Sequence, residues 1–288
     1  MDGLNKNQIR RVFKDARKHR SIGQLIRRFS TNQGDIREVT LRGIDLTNCR
    51  KVLELGCAFG AYTESLKGRL HPDAVIKGID IIPEYKIFFL EACRRAGYEG
   101  TFSSAGVEQI KHDDADAYDL ILCSYALYFF PYMIAEIPRI LKENGTFIAI
   151  THSRHDMQEL ISLTKKILRQ NGLLDERQPL PIEIIVGQFS AQNGRKQLKP
   201  CFDHIRAIDF KNRLIFEPSE IDHFFEYFHF KKSFFLMGTE AGQKDIVSQL
   251  LEALAEAAMR GRNITMSKDD RIFICTRPIK PKGDRERP

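Results

Sequence analysis

Long apolar runs are missing from this chain of 288 residues. The longest are no longer than a buried strand or a short helix, far below the ~20 residues a membrane span needs, so no membrane crossing is expected. The first residues are charged and lack both the apolar stretch and the small-residue cleavage site of a secretory signal, which makes the cytoplasm the expected location. No C-x-x-C pair occurs among the six cysteines, Cys49, Cys57, Cys93, Cys123, Cys201 and Cys275. That scatter argues against zinc ribbons and disulfide frameworks. Several of them lie in apolar strand-like runs and are expected as buried, reduced thiols. Internal repeats and low-complexity tracts are also missing. A chain 42% apolar and 29% charged has instead the make-up of a soluble globular protein, one large domain with additions.

The net charge of +7 sits mostly at the two ends. Residues 1–30 hold Lys6, Arg10, Arg11, Lys14, Arg17, Lys18, Arg20, Arg27 and Arg28 against Asp2 and Asp15, and the stretch from Arg277 is again basic. The body between them is slightly acidic. A uniformly positive groove for a nucleic-acid backbone is therefore not implied, although a local basic arm is.

Apolar residues at Ile9, Val12, Phe13, Ala16, Ile22, Leu25, Ile26 and Phe29 are spaced for one or two amphipathic helices, with an interruption expected near Ser21 and Gly23. From Lys51 onward, short apolar runs alternate with helical segments, the pattern of a parallel sheet covered by helices. The expected strands are 51–55, 74–80, 100–105, 118–124 and 145–153. Helices are expected at 61–67, 84–96, 133–142 and 155–170. Beyond Gly172 the alternation fades. Pro179, Pro181 and Pro200, with Gly187 and Gly194, suggest an irregular insertion. A helix beginning at "EPSEIDHFFEYF", a strand at "KKSFFLMG", a helix over 243–259 and a last strand at "DRIFICTR" complete the reading.

The segment "VLELGCAFGAYTESL" is a strand, a tight turn of small residues and a helix start. Its pattern resembles the first motif of the class I methyltransferase family, acidic-x-Gly-x-Gly-x-Gly. Glu54, Gly56 and Gly60 match, and Ala58 stands where the family usually has its middle glycine. Glycines let a backbone approach a ligand closely, and helix-end N–H groups offer donors to a carboxylate. Asp80 ends the next strand some two dozen residues later, where a carboxylate can accept both hydroxyl hydrogens of a ribose. Read as a dinucleotide-binding G-x-G-x-x-G, the turn would keep one glycine of three, and Glu54 would oppose a pyrophosphate. "DAYDLILCSYALYFF" and "RILKENGTFIAI" resemble the family's fourth and fifth strands, so the likeness spans about residues 50–153.

The resemblance implies S-adenosylmethionine as cofactor, with S-adenosylhomocysteine as its product. It places the cofactor against Glu54, Gly56, Cys57, Ala58, Gly60 and Tyr62, then Asp80 and Ile81, then the stretch of Gly106, Val107 and Glu108, where the adenine acceptor is Ser104, the backbone or Glu108, and finally Cys123 and Ser124. It implies a Rossmann-like α/β fold with a mostly parallel seven-stranded sheet flanked by helices. The expected organisation is a basic helical cap over 1–45, a cofactor-binding core over 46–172, an insertion serving as substrate lid over 173–230, completing elements over 231–277 and a flexible tail over 278–288.

Methyl transfer from a sulfonium needs a nucleophile held close, aligned and dry, and no universal catalytic residue. "CSYA" at 123–126 replaces the Asn/Asp-Pro-Pro-aromatic motif that grips a planar amide or adenine amino group. Cys201, beside Pro200, falls in the late insertion and is expected to be structural. His152 is a candidate general base, its ordinary pKa of ~6.5 suiting neutral pH, with Tyr125 and Tyr128 as further candidates on the acceptor side. His152 and His155 have no clear third partner for a metal, and none is expected. A small-molecule acceptor at N, O or an activated carbon is the leading expectation. RNA or protein methylation docked on the basic helices, and a cofactor-binding adaptor without turnover, are the alternatives. The basic arm has only Phe13 and Phe29 to stack bases, which disfavours nucleic acid.

Overall fold

Each short apolar run in the first half of the chain becomes a strand because it can be buried on both faces of a parallel sheet. The computed structural model describes residues 6–236 and 243–280. In chain order, helices α1 (Lys6–Phe13), α2 (Ala16–Phe29) and α3 (Ile36–Leu41) precede strand β1 (Lys51–Leu55). Then come α4 (Ala61–Ser65), β2 (Val75–Ile79), α5 (Tyr85–Ala96), β3 (Glu99–Ser103) and β4 (Tyr118–Ser124). Two 3₁₀ turns and α6 (Ile137–Ile140) lead into β5 (Leu141–His152), followed by α7 (Gln158–Gln170), α8 (Pro181–Gln188) and α9 (Gly194–Leu198). Strands β6 (Phe202–Phe210) and β7 (Arg213–Phe216), helices α10 (Ile221–Leu236) and α11 (Gln243–Met259), and strands β8 (Ile264–Ser267) and β9 (Asp270–Pro278) complete the order.

The chain divides into two compact units. The sheet unit comprises Gly34–Thr151, Gln188–Phe210 and the chain from Arg271. Seven strands run in the order β3-β2-β1-β4-β5-β9-β6, and β1 pairs in parallel with both β2 and β4. The pairs β2–β3 and β4–β5 are parallel too. Order reverses between β1 and β4, and such a switch point opens a crevice beyond the carboxyl ends of the strands. Val52, Ile76, Leu120, Leu122, Ile148 and Ile150 pack with Phe89 and Cys93 of α5 in the core.

The helical unit comprises the chain up to Gln33, His152–Gly187 and Lys211–Asp270. Its core is aromatic: Phe29 stacks on Phe216 at 4.3 Å between centroids, and Phe216 meets Phe224 edge-on at 5.3 Å. Strands β7 and β8 pair antiparallel. Among the described residues no helix is long and apolar enough to cross a membrane.

Several expectations need correction. The N-terminal helices part at Lys14–Asp15, not near Ser21 and Gly23, because the Asp15 carboxylate accepts the Lys18 N–H at 3.0 Å and caps α2. "KKSFFL" is not a strand but the last part of α10, its run of phenylalanines shielded on a helix. Residues 141–142 already belong to β5 rather than to the helix before it. The segment 173–230 is divided, with 188–210 in the sheet unit and the remainder in the helical one. Pro278 ends β9, the Ile279 N–H donates to the Cys201 carbonyl at 2.8 Å, and Lys280 pairs with Asp116; 281–288, the rest of the expected tail, lie outside the described residues, as does Gly238. All six cysteines are free thiols.

Candidate functional site

The turn after β1 is built by backbone conformations few residues tolerate. Gly56 has φ +68° and Gly60 φ +74°, and a Cβ added to either would lie 2.4 Å from Ala126 Cβ or 2.6 Å from Ala92 Cβ respectively. Gly56 and Cys57 donate their N–H groups to the Ile79 carbonyl at 2.8 and 3.2 Å, which ties the turn to the end of β2. Ala58, in the place of the family's middle glycine, adopts φ +43°. An L-residue there costs ~1–2 kcal/mol relative to its ordinary conformations. Ala58→Gly is therefore expected to stabilise the protein by roughly 0.5–1 kcal/mol after the entropy of the added glycine is discounted, checked by urea denaturation.

Asp80 faces that turn. Its Oδ2 accepts the Ala58 N–H at 3.0 Å and its Oδ1 the Ile82 N–H at 3.0 Å. Burial pushes its carboxyl up to about 6 against the pull of those N–H donors. Glu54, in β1, is 3% exposed and takes the Thr63 hydroxyl hydrogen at 2.5 Å. Burial raises it to about 7, with Thr63 and Arg37 opposing and Asp80 adding to the rise. Tyr62 is buried beside them, and its hydroxyl oxygen has no hydrogen-bond partner among the described residues.

The Asp80 N–H reaches the Ser103 carbonyl at 3.1 Å, bringing the end of β3 to the same rim. Gly106 (φ +95°) opens the turn carrying Val107 and Glu108. Val107 is buried, and Glu108 Oε1 accepts the Tyr132 hydroxyl at 2.8 Å. Cys123 is fully buried. Ser124 ends β4, and Tyr125 follows with φ +55°, its N–H bonded to the Ile150 carbonyl at 2.8 Å. Left-handed non-glycine residues such as Ala58 and Tyr125 are strained conformations that cluster at functional sites. Tyr128 is buried against Phe129, with centroids 4.7 Å apart. Every cofactor residue expected from sequence, with Tyr125 and Tyr128, belongs to the sheet unit.

His152 does not; it is counted in the helical unit. There its Nδ1 lies 2.7 Å from Asp270 Oδ1 and 3.1 Å from Lys268 Nζ. Lys268 in turn bonds Asp156 Oδ1 at 3.1 Å. Sequence reasoning missed Asp156, Lys268 and Asp270, since no spacing links positions 118 residues apart.

A separate open cavity of about 810 Å³ is lined by Asp45, Asn48, Asp119, Lys142, Asn144 and Lys280. Asp119 there accepts the N–H groups of Arg50 and Lys51, at the amino end of β1. It lies at the opposite ends of the strands from Gly56 and Asp80 and does not belong to their site.

The order of the sheet, the glycine turn after β1 and the acid after β2 define a Rossmann-like α/β fold. Residues 52–145 match the model of the methyltransferase-domain family. Among solved structures, a Bacillus halodurans protein described as a candidate methyltransferase superposes with TM-score 0.54 at 11% identity, over 85% of this chain and 100% of that one. Geranyl diphosphate C-methyltransferase from Streptomyces coelicolor is 12% identical over 84% of this chain and 78% of its own, with TM-score 0.43. Phosphoethanolamine N-methyltransferase 2 of Haemonchus contortus is 12% identical over 94% of this chain and 57% of its own, also with TM-score 0.43. At such identities the first likeness speaks for the fold alone. No curated protein matches the chain in sequence.

Proposed function

We propose that this chain transfers a methyl group from S-adenosylmethionine to a small-molecule acceptor at nitrogen, oxygen or an activated carbon. The observation that carries the cofactor half is the pair of buried, desolvated carboxylates around a glycine cradle. A carboxylate that burial holds at about 7 lacks a neighbouring cation strong enough to offset its desolvation, and the ammonium of an amino-acid ligand is such a cation. A Cβ at Gly56 or Gly60 would collide with Ala126 or Ala92, so only glycine lets the turn pack this tightly beside the two acids. These residues fit the cofactor. Glu54 would hold its amino group, Asp80 its ribose hydroxyls, and the backbone of Gly56 to Gly60 its carboxylate. When bound, it supplies an electrophilic methyl on a sulfonium. The chain's part is to orient the acceptor, exclude water and take up a proton where the acceptor has one to lose.

The small-molecule half is supported by where the basic arm puts its aromatic rings. Phe29 is buried on Phe216, and Phe13 packs against His19, Phe230 and Phe234. Neither is offered to a stacking base. The N-terminal helices and the segment 173–230 are, on this reading, the acceptor's cover, with Tyr125, Tyr128 and His152 as the acceptor-side candidates and no metal involved.

Calorimetric titration with S-adenosylhomocysteine, followed by transfer of labelled methyl to pooled small metabolites, RNA and protein, tests both halves. No heat on titration defeats the cofactor assignment. Label entering only RNA or protein defeats the small-molecule one. Affinity is also expected to depend on pH. Glu54 and Asp80, raised to about 7 and about 6, hold protons in the free protein on the acid side of those values, whereas the ligand's ammonium favours ionised Glu54. Binding near pH 6 should thus release protons and tighten up to ~10-fold per pH unit, levelling off above about pH 8. Titrations in two buffers of different ionisation enthalpy will show the released protons as a difference in heat.

A further inference from the structure

The chain from Lys6 to Arg28 carries its cations at helical spacing, and every lysine and arginine in it is exposed. On α2, Arg17, Arg20, Gln24 and Arg27 follow one another at steps of three and four residues and so share one face, while Ile22, Leu25 and Phe29 are buried on the other. The row is ~15 Å long at the helical rise per residue. Arg28, beside it, pairs with Glu220 at 2.9 Å. Arg11, Lys14, Arg17, Lys18, Arg20 and Arg27 form no ion pair among the described residues. The single acid of this stretch, Asp15, is occupied as the N-cap of α2.

The positive field extends onto α10, where burial first, and then Lys232 and Lys18, hold the His229 imidazole below its ordinary value. Like charges crowded in this way repel one another in the free protein, and a partner bringing fixed negative charge relieves the repulsion. Helix α1 adds an apolar side. Ile9, Val12 and Phe13 share a face opposite Arg11 and Lys14, yet no residue of α1 is buried. Phe13 is engaged by the rings of His19, Phe230 and Phe234, which leaves Ile9 and Val12 half-buried beside the cations. A nucleic-acid backbone would use the cations and neither aliphatic side chain. A lipid headgroup layer uses both, its phosphates matching the paired N–H donors of a guanidinium and its acyl boundary taking the apolar groups.

We propose that the exposed face of α1 and α2 docks this protein on a membrane surface rich in acidic phospholipids, with the arginines of α2 on the lipid phosphates and Ile9 and Val12 at the headgroup boundary. This is attachment to a surface and not a crossing, for which no described helix is long and apolar enough. Each lysine or arginine near such a surface raises partitioning ~5-fold, and the attraction decays within a Debye length of ~10 Å near 0.1 M salt. The docking face lies wholly in the helical unit, so it requires neither the cofactor nor any residue of the glycine turn.

Co-sedimentation of the full chain with vesicles tests the docking. Phosphatidylcholine vesicles holding about 30% phosphatidylserine should carry the protein down near ~0.1 M salt, phosphatidylcholine alone should not, and ~1 M salt should release it as the Debye length falls to ~3 Å. Arg11→Glu, Arg17→Glu, Arg20→Glu and Arg27→Glu combined should lower the partition coefficient ~100-fold or more, and Arg20→Glu alone at least ~5-fold, with helical circular dichroism unchanged. Ile9→Ser with Val12→Ser should lower it ~5-fold or more while leaving any affinity for a short RNA duplex as it was. No sedimentation with the acidic vesicles, or sedimentation that the charge-reversed variants retain, would overturn the proposal. Binding to the RNA duplex tighter than to the vesicles, and vesicle binding unmoved by the Ile9 and Val12 changes, would overturn it in favour of a nucleic-acid partner.

Discussion

Glu54→Gln is expected to make the free protein more stable and its cofactor binding weaker. Near pH 8 the native carboxylate is ionised, 3% exposed, and hydrogen-bonded by the Thr63 hydroxyl, and burial has raised it from 4.5 to about 7. A raised acid contributes stability that is complete below its unfolded value and is lost as pH climbs through the folded one. The loss between 4.5 and about 7 is on the order of 3 kcal/mol. Glutamine keeps an oxygen for Thr63 and removes the charge, so a gain of about 1–2 kcal/mol is expected near pH 8, shrinking to nothing by about pH 4. Urea denaturation at the two pH values measures it. The same substitution removes a charge-assisted hydrogen bond to the ligand's ammonium, worth ~1.5–3 kcal/mol, or about 10- to 100-fold in the Kd for S-adenosylhomocysteine. A residue kept for packing alone would not give opposite signs. If stability and affinity fall together, Glu54 is structural.

That prediction could be framed because the turn after β1 was legible in sequence. A strand, small residues and a helix start within fifteen positions are local features, and Asp80 at the end of the next strand is nearly so. The first five strands were legible as short apolar runs, most of them separated by helical segments. Strand β6 was not legible: at the edge of the sheet, its seven interior residues are exposed or half-buried and only the end residues Phe202 and Phe210 are buried, so "FDHIRAIDF" carries none of the apolar signature of a central strand. "KKSFFL" misled in the other direction, since an apolar run of that length suits a strand or a buried helix equally. The expected lid over 173–230 was defined by its prolines and glycines, which report local irregularity and say nothing about which unit a segment joins. The partners of His152 lay beyond sequence reasoning for the same reason. Asp156 stands nearby at i+4, but Lys268 and Asp270 arrive through the β8–β9 connection, and nothing near position 152 announces them.

Lys268→Met is expected to be the most destabilising single change outside the hydrophobic core. Lys268 is 5% exposed and stands between Asp156 at 3.1 Å and Asp270 at 3.9 Å. Burial works against its charge, but the two carboxylates outweigh burial and hold its ammonium above the ordinary lysine value. A base raised in this way contributes stability that is fully present below its unfolded pKa, so across neutral pH the native protein has all of it. Removing the cation strips the neutralising charge from two buried acids, and breaking such a group by deleting one partner costs about 3–5 kcal/mol. Methionine fills the lysine stem's volume, which separates the electrostatic effect from a cavity. Adding Asp156→Leu should recover a large part of the loss, because replacing a buried ion pair by apolar side chains of similar size is often neutral, and Asp270 keeps His152 as a partner. Chemical denaturation of the wild type, the two single variants and the double variant gives the coupling energy. Additive losses would mean that Lys268 and Asp156 act independently, and that the tight geometry around His152 rests on the backbone bonds of Ser153, Met157 and Lys268 rather than on charge.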